Sequence, residues 1–149
     1  MAAAISNVTS RVLGVDLGSK RIGLALSDPS RTVASPHHVL RRDRDHAADH
    51  AAIVAIAREH GVSTIVVGLP RSLSGGEGPA ARAARAEAAE LATAAGDGIE
   101  VVLHDERLTT VTAERALGEA RMRRDDRRAV VDKVAAAVML QSWLEGDAR

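Results

Sequence analysis

Residues Val12–Asp28 read VLGVDLGSKRIGLALSD. Two apolar runs, Arg11–Gly18 and Arg21–Asp28, flank Ser19-Lys20, and that arrangement predicts a β-hairpin. Asp16 stands in the middle of the first run, between Gly14 and Gly18. A charged carboxylate without a partner is costly in a core strand, so something must balance it. A backbone amide could do so, as could an ion pair with Lys20 or Arg21, or a bound metal ion.

Beyond the hairpin, Thr32–Leu40 (TVASPHHVL) is a weaker third strand, in which Pro36 calls for an edge position or a bulge. His46–His60 carries alanine, isoleucine and valine on a helical period, and Gly61 ends it. Ser63–Gly68 (STIVVG) predicts a buried strand and Leu69–Gly78 a loop. Pro79–Ala95 predicts a helix stopped by Gly96, and Ile99–His104 another strand. Thr109–Ala120 and Ala129–Glu145 predict two more helices, separated by the charged stretch RMRRDDRR. Three strands followed by helix–strand–helix–strand–helix give an α/β fold with a mixed central sheet flanked by helices. The first strands pair antiparallel, and the later ones, joined by crossover helices, pair parallel. The expectation is one domain over residues 11–145, preceded by a flexible N-terminus over residues 1–10.

The bulk composition narrows the function. Twenty basic residues offset twenty acidic ones, so any basic surface must be local. There is no cysteine, which excludes disulfides and thiolate metal sites. Trp143 is the only aromatic residue among Phe, Trp and Tyr, and this argues against single-strand binding on stacking platforms. No apolar run approaches the ~20 residues needed to span a bilayer. The opening MAAAISNVTSR lacks the pattern of a signal peptide, so a cytoplasmic protein that does not enter membranes is expected.

Three further acids could converge with Asp16. Asp105 and Glu106 follow the strand Ile99–His104, and ligands collect beyond the carboxyl ends of parallel strands. Asp132 lies near the start of the last helix, on one face with Ala135, Ala136 and Met139. Taken alone, Asp132 there is a favourable partner for the helix dipole. Acids gathered without Cys or His suit hard cations, Mg²⁺ or Mn²⁺. Two such ions can activate water and stabilise the leaving oxygen of a phosphodiester, which is nuclease chemistry.

Four segments, VDLGSKRIGLALSD, VGLPRSLSGGEGP, DERLTT and DKVAAAVMLQSWL, occur in order from Val12 to Leu144. Together they resemble the YqgF family, relatives of the RuvC-type Holliday-junction resolvases. The resemblance implies an RNase H-like fold and a catalytic, metal-binding set of Asp16, Glu106 and Asp132, with Asp105 as the alternative to its neighbour. RuvC-type enzymes also place an acid after the strand equivalent to Ser63–Gly68, where this chain reads GLPRSL. The resemblance offers two substrates: precursor 16S rRNA trimmed at its 5′ end, or a four-way DNA junction. The missing acid favours the first.

Basic residues extend this reading to a structured nucleic acid. Lys20 and Arg21 in the hairpin could hold a phosphate. Arg107 could contact phosphate or hold Asp105. Arg121, Arg123, Arg124, Arg127 and Arg128 form a dense basic run leading to Asp132. The glycine-rich Ser72–Gly78 could serve as a turn or a phosphate contact, and no cofactor-binding motif is present. Thr109 or Thr110 caps the helix that follows. His46, His50 and His60 read as helix-surface residues, His104 as a neighbour of the site, and Trp143 as core. His37 and His38 point to opposite faces and do not share a metal. A monomer and a homodimer both remain open. Competing readings are an ATP-binding module, for which the chain is too short, and an RNA-binding protein of the same fold without catalysis.

Overall fold

The computed structural model describes residues 10–69, 78–105 and 124–147, with side chains in the last span from Val131 to Gly146. In chain order the elements are β1 (Arg11–Leu17), β2 (Arg21–Ser27), β3 (Ala34–Arg41), α1 (His46–Glu59), β4 (Val62–Leu69), α2 (Pro79–Ala95), β5 (Glu100–Asp105) and α3 (Arg124–Asp147). The expected strands and helices within these spans form, with ends shifted by one or two residues except at the start of α3. The Thr109–Ala120 helix and its Thr109 or Thr110 cap lie outside the described residues, as does most of the loop after Leu69.

The five strands make one sheet in the order β3-β2-β1-β4-β5. β1 pairs antiparallel with β2, and β2 with β3. β1 pairs parallel with β4, and β4 with β5. This is the mixed sheet expected from the element order. β3 is an edge strand and its register shifts between the partners of Leu24 and Ala25, with Pro36 opposite Ala25. Pro36 thus has both features that a proline needs in a sheet, since it has no amide hydrogen to donate.

Strand alternation divides the sheet into two cores. Leu13, Val15, Ile22, Leu24, Ile65 and Val67 pack with Ile53, Val54, Ala57, Ala88 and Leu91 of α1 and α2. Val12, Ala25 and Val66 pack on the opposite face with Ala136, Met139, Leu140 and Leu144 of α3, and Trp143 joins this second core. Asp45 caps α1 by accepting the Ala47 amide at 3.0 Å. Gly61 follows α1 at φ 67°, a conformation that costs glycine least. Pro79 stands in the first turn of α2, where its missing N–H is no loss.

The last helix differs from expectation. It begins at Arg124, inside the charged stretch expected to separate two helices. Arginine is a good helix former, and Asp125 and Asp126 suit the positive end of the helix dipole, so this stretch continues a helix well. Asp132 is consequently the ninth residue of α3, more than two turns in. The dipole reading of Asp132 is therefore wrong, because that effect fades beyond the first turn. No helix among the described residues is long and apolar enough to cross a membrane.

Candidate active site

Glycines on β1 and β2 decide how near α3 comes to the sheet. A Cβ at Gly14 would lie 2.9 Å from the Leu140 Cβ and 3.3 Å from the Ala136 carbonyl oxygen. A Cβ at Gly23 would collide with the Asp132 carbonyl. Both positions therefore face α3, and the helix backbone rests directly on β2 at Asp132. Gly18 has a different task. A Cβ there would stand 2.5 Å from the Arg21 carbonyl oxygen, so it closes the hairpin turn, with its amide donating to that oxygen at 2.9 Å.

Asp16 follows Val12 and Gly14 on the α3 side of β1, and its cross-strand partner is Gly23. Asp16 and Asp132 thus lie on the same face of the sheet, both half-buried. On its other side, one row beyond the paired Val15 and Val67, Asp16 neighbours Gly68 of β4. Glycine on both flanks leaves the space beside this carboxylate unfilled by neighbouring strand side chains. Gly14 and Gly23 are therefore what lets α3 lie close against the strand that carries Asp16.

Arg21 Nε donates to Asp132 Oδ2 at 2.6 Å, across 111 positions of sequence. Arg21 was expected at a phosphate or as an ion-pair partner of Asp16; its bond here is to Asp132. Lys20 is exposed in the turn.

Asp105 ends β5 and is exposed. The preceding His104 lies on the α3 side, where its Nε2 is 3.1 Å from Ser142 Oγ. Leu103 packs toward the α1/α2 core. By alternation Asp105 shares the side of Leu103, away from Asp16 and Asp132. Burial pushes the His104 imidazole below its usual range, against an upward pull from Asp105. Glu106, Arg107, Arg121 and Arg123 lie outside the described residues. Arg124, Arg127 and Arg128 belong to the first turns of α3, and their side chains lie outside the described residues. Among the described residues no three His, Cys, Asp or Glu side chains gather closely enough to hold a metal ion.

One polar cluster was missed in the sequence. Arg42 reaches Glu87 through Nη1 at 2.5 Å and Nη2 at 2.8 Å, and Asp49 at 3.5 Å. His50 Nε2 lies 2.8 Å from Glu87 Oε2. All four side chains are largely buried, so His50 is not the helix-surface residue expected. Burial pulls the Glu87 carboxyl upward, but the hydrogen bonds from Arg42 and His50 outweigh it and hold the group below its usual range. Arg42 also ties down the hairpin turn, donating Nε to the Gly18 carbonyl at 3.0 Å and its amide to the Lys20 carbonyl at 2.9 Å. A signal for Glu87 was present: it adjoins the stripe Ala84, Ala88 and Leu91, the buried face of α2.

Comparison with known proteins places these residues in context. A family model described as "RuvX: Holliday junction resolvase" matches residues 10–146. A Moorella thermoacetica protein named "Putative pre-16S rRNA nuclease" is 47% identical over 135 residues, covering 91% of this chain and 94% of that one. A protein of the same name from Anaeromyxobacter sp. is 51% identical over 136 residues, covering 91% and 97%. The structure of T. thermophilus RuvC in complex with a Holliday junction substrate superposes with a TM-score of 0.57 over 93% of this chain and 96% of that one, at 16% identity. The shared property at that identity is the fold, the RNase H-like arrangement expected from the sequence.

Proposed function

This chain belongs to the RuvX family of Holliday junction resolvases, and on that footing we propose that it is a divalent-metal-dependent nuclease acting in 5′-end processing of pre-16S rRNA. The observation that supports the reading is that Asp16 and Asp132 share one face of the sheet, with the Asp132 backbone resting on Gly23, the cross-strand partner of Asp16. Two half-buried carboxylates on one face fit a hard cation, since both supply oxygen and neither cysteine nor a histidine cluster competes. Asp16, Glu106 and Asp132 would hold the metal. The pleat weighs against Asp105, which shares the side of Leu103, and so favours Glu106. Bound there, Mg²⁺ or Mn²⁺ would activate a water and stabilise the leaving oxygen of the phosphodiester.

The chain's own residues would do the rest. Lys20 and Arg21 stand beside the acids at the hairpin and would orient a phosphate. Arg107, Arg121, Arg123, Arg124, Arg127 and Arg128 would track the nucleic-acid backbone into the site. Such contacts fix position without reading sugar or sequence, so substrate choice rests on other grounds. The pre-16S rRNA role is favoured by the names of relatives 47% and 51% identical along nearly their whole length. The family description favours a second reading, cleavage of a four-way DNA junction, which requires two active sites and hence a symmetric dimer.

A side-by-side cleavage assay decides between them. A precursor rRNA fragment and a four-way DNA junction are each offered with Mg²⁺ and with Mn²⁺. Cleavage of the rRNA near its 5′ end supports the proposal, and cleavage of the junction alone supports the second reading. Binding without cleavage of either identifies a non-catalytic RNA-binding protein.

A further inference from the structure

Arg21 and Gly23 are two residues apart on β2 and so lie on the same face. Gly23 admits the Asp132 backbone, and Arg21, one row nearer the hairpin turn, takes its carboxylate. Asp132 is thus fixed at two points on one strand. Both side chains keep more than a quarter of their surface exposed, 29% and 27%, so the guanidinium can leave the carboxylate without dragging the strand.

The proposed metal would draw on the same carboxylate. A guanidinium bonded to Oδ2 takes up part of its charge and sets a like charge beside the incoming dication, so the two compete. A phosphate resolves the competition. It offers a guanidinium the same two-oxygen geometry as a carboxylate, and the exposed Lys20 adds a second cation at the same turn. We infer that Arg21 is the internal counterion of Asp132, and that nucleic-acid phosphate draws it off as the divalent cation takes its place, so that metal and substrate load the site cooperatively. This inference rests on the metal-dependent nuclease reading above. It assigns Arg21 a positioning role that a simple staple between β2 and α3 would not have.

The test is calorimetric titration of Mn²⁺ into the full-length wild type, Arg21→Gln, Asp132→Asn and the double variant. Each is titrated with and without a cleavage-resistant phosphorothioate RNA hairpin. In the absence of RNA, Arg21→Gln is expected to bind Mn²⁺ about 5-fold or more tightly than wild type, a coupling of ordinary size. RNA should tighten Mn²⁺ binding in wild type and do so far less in Arg21→Gln. In the Asp132→Asn background the Arg21 substitution should change nothing, because the competition is for that carboxylate. Arg21→Lys keeps the charge and should behave like wild type, and Arg21→Met replaces the Gln variant should that one melt early. Mn²⁺ affinity unchanged or weakened in Arg21→Gln overturns the inference, as does equal tightening in Arg21→Lys. Absence of Mn²⁺ binding in every protein overturns the nuclease reading itself, and the inference with it.

Discussion

The carbonyl of Asp132 rests so close to Gly23 that no side chain fits between them. One glycine on the second strand therefore sets the height of the last helix above the sheet. It also puts the Asp132 backbone over the cross-strand partner of Asp16. The hairpin motif and the helix motif, more than a hundred residues apart in sequence, are brought to one face of the sheet by this contact.

Replacing Gly23 by alanine must push α3 off the sheet, because the obstacle is backbone and cannot rotate away. The expected cost is about 1–3 kcal/mol, the range for overpacking a close contact. Cleavage should fall further than stability explains, since Asp132 moves with the helix. Gly61→Ala is the control: its φ of 67° strains an alanine, yet nothing lies within 4 Å of the new methyl. That variant should lose about 1–2 kcal/mol, the cost of the left-handed conformation, and keep its specific activity. Urea melts and cleavage rates on both variants check the pair. Equal activity loss in the two would separate helix height from catalysis.

Asp16→Asn and Asp132→Asn keep the size and shape of each side chain and remove its charge. Each is expected to lower the cleavage rate by at least ~100-fold, the scale of losing one group that stabilises transition-state charge. Binding of the nucleic acid should survive, since it depends on the basic residues. The double variant should be little worse than either single one, because the two acids act as a unit. Single-turnover rates beside filter-binding affinities test this, and substantial cleavage in either single variant counts against a shared metal site.

The fold was legible because its signals are local. Alternation and period in Arg11–Ser27, Val62–Leu69 and Pro79–Ala95 name the elements directly, and a run of three strands before the first helix dictates an antiparallel start. The start of α3 was not legible, since a block of mixed charge reads as a loop when helix propensity alone carries it. The pairing of Arg21 with Asp132 was hidden for a different reason. Sequence offered Asp16 as the nearest acid to that arginine, and only the resting place of α3 on Gly23 brings Asp132 within reach. The buried cluster of Arg42, Asp49, His50 and Glu87 joins the loop after β3 to α1 and α2, and Glu87, which bonds both Arg42 and His50, stands 37 positions beyond His50.

The basic run preceding Asp132 makes a prediction about salt. Neutralising Arg123 and Arg124 together should weaken nucleic-acid binding and reduce the slope of log affinity against log salt by about 1.4–1.8, roughly 0.7–0.9 for each phosphate that is no longer neutralised. The weakening should be the same for RNA and DNA of equal shape. Binding isotherms over a salt series measure it, and an unchanged slope removes these residues from the interface.

Arg42 and Glu87 supply a test of the opposite face. Breaking the pair by Arg42→Met strands a carboxylate that is 9% exposed, and the expected cost is about 3–5 kcal/mol. Adding Glu87→Leu should recover part of it, since no charge of that pair is then left alone. Recovery stays incomplete, because His50 and Asp49 lose partners and the Gly18 carbonyl loses the Arg42 donor. Denaturant midpoints for the two singles and the double give the coupling. Simple additivity of the singles would mean that the buried pair has no energetic content.

Glu87 also predicts how stability depends on acid. Its carboxyl is held below the ordinary value of 4.5 in the folded protein, burial being outweighed by Arg42 and His50. A carboxyl depressed by folding binds its proton less readily than in the unfolded chain, so its contribution is complete above pH 4.5. That contribution fades as the pH falls through the ordinary value toward the folded one. Wild type should therefore lose melting temperature steeply below pH 4.5. Glu87→Gln should be less stable than wild type at pH 7 and should fall less steeply over the same acid range, so that the two curves converge. The melting temperatures are read by circular dichroism from pH 3 to 7, a range chosen on the ordinary scale of carboxyl titration. Parallel curves would place the acid sensitivity on other carboxylates and remove Glu87 from the explanation.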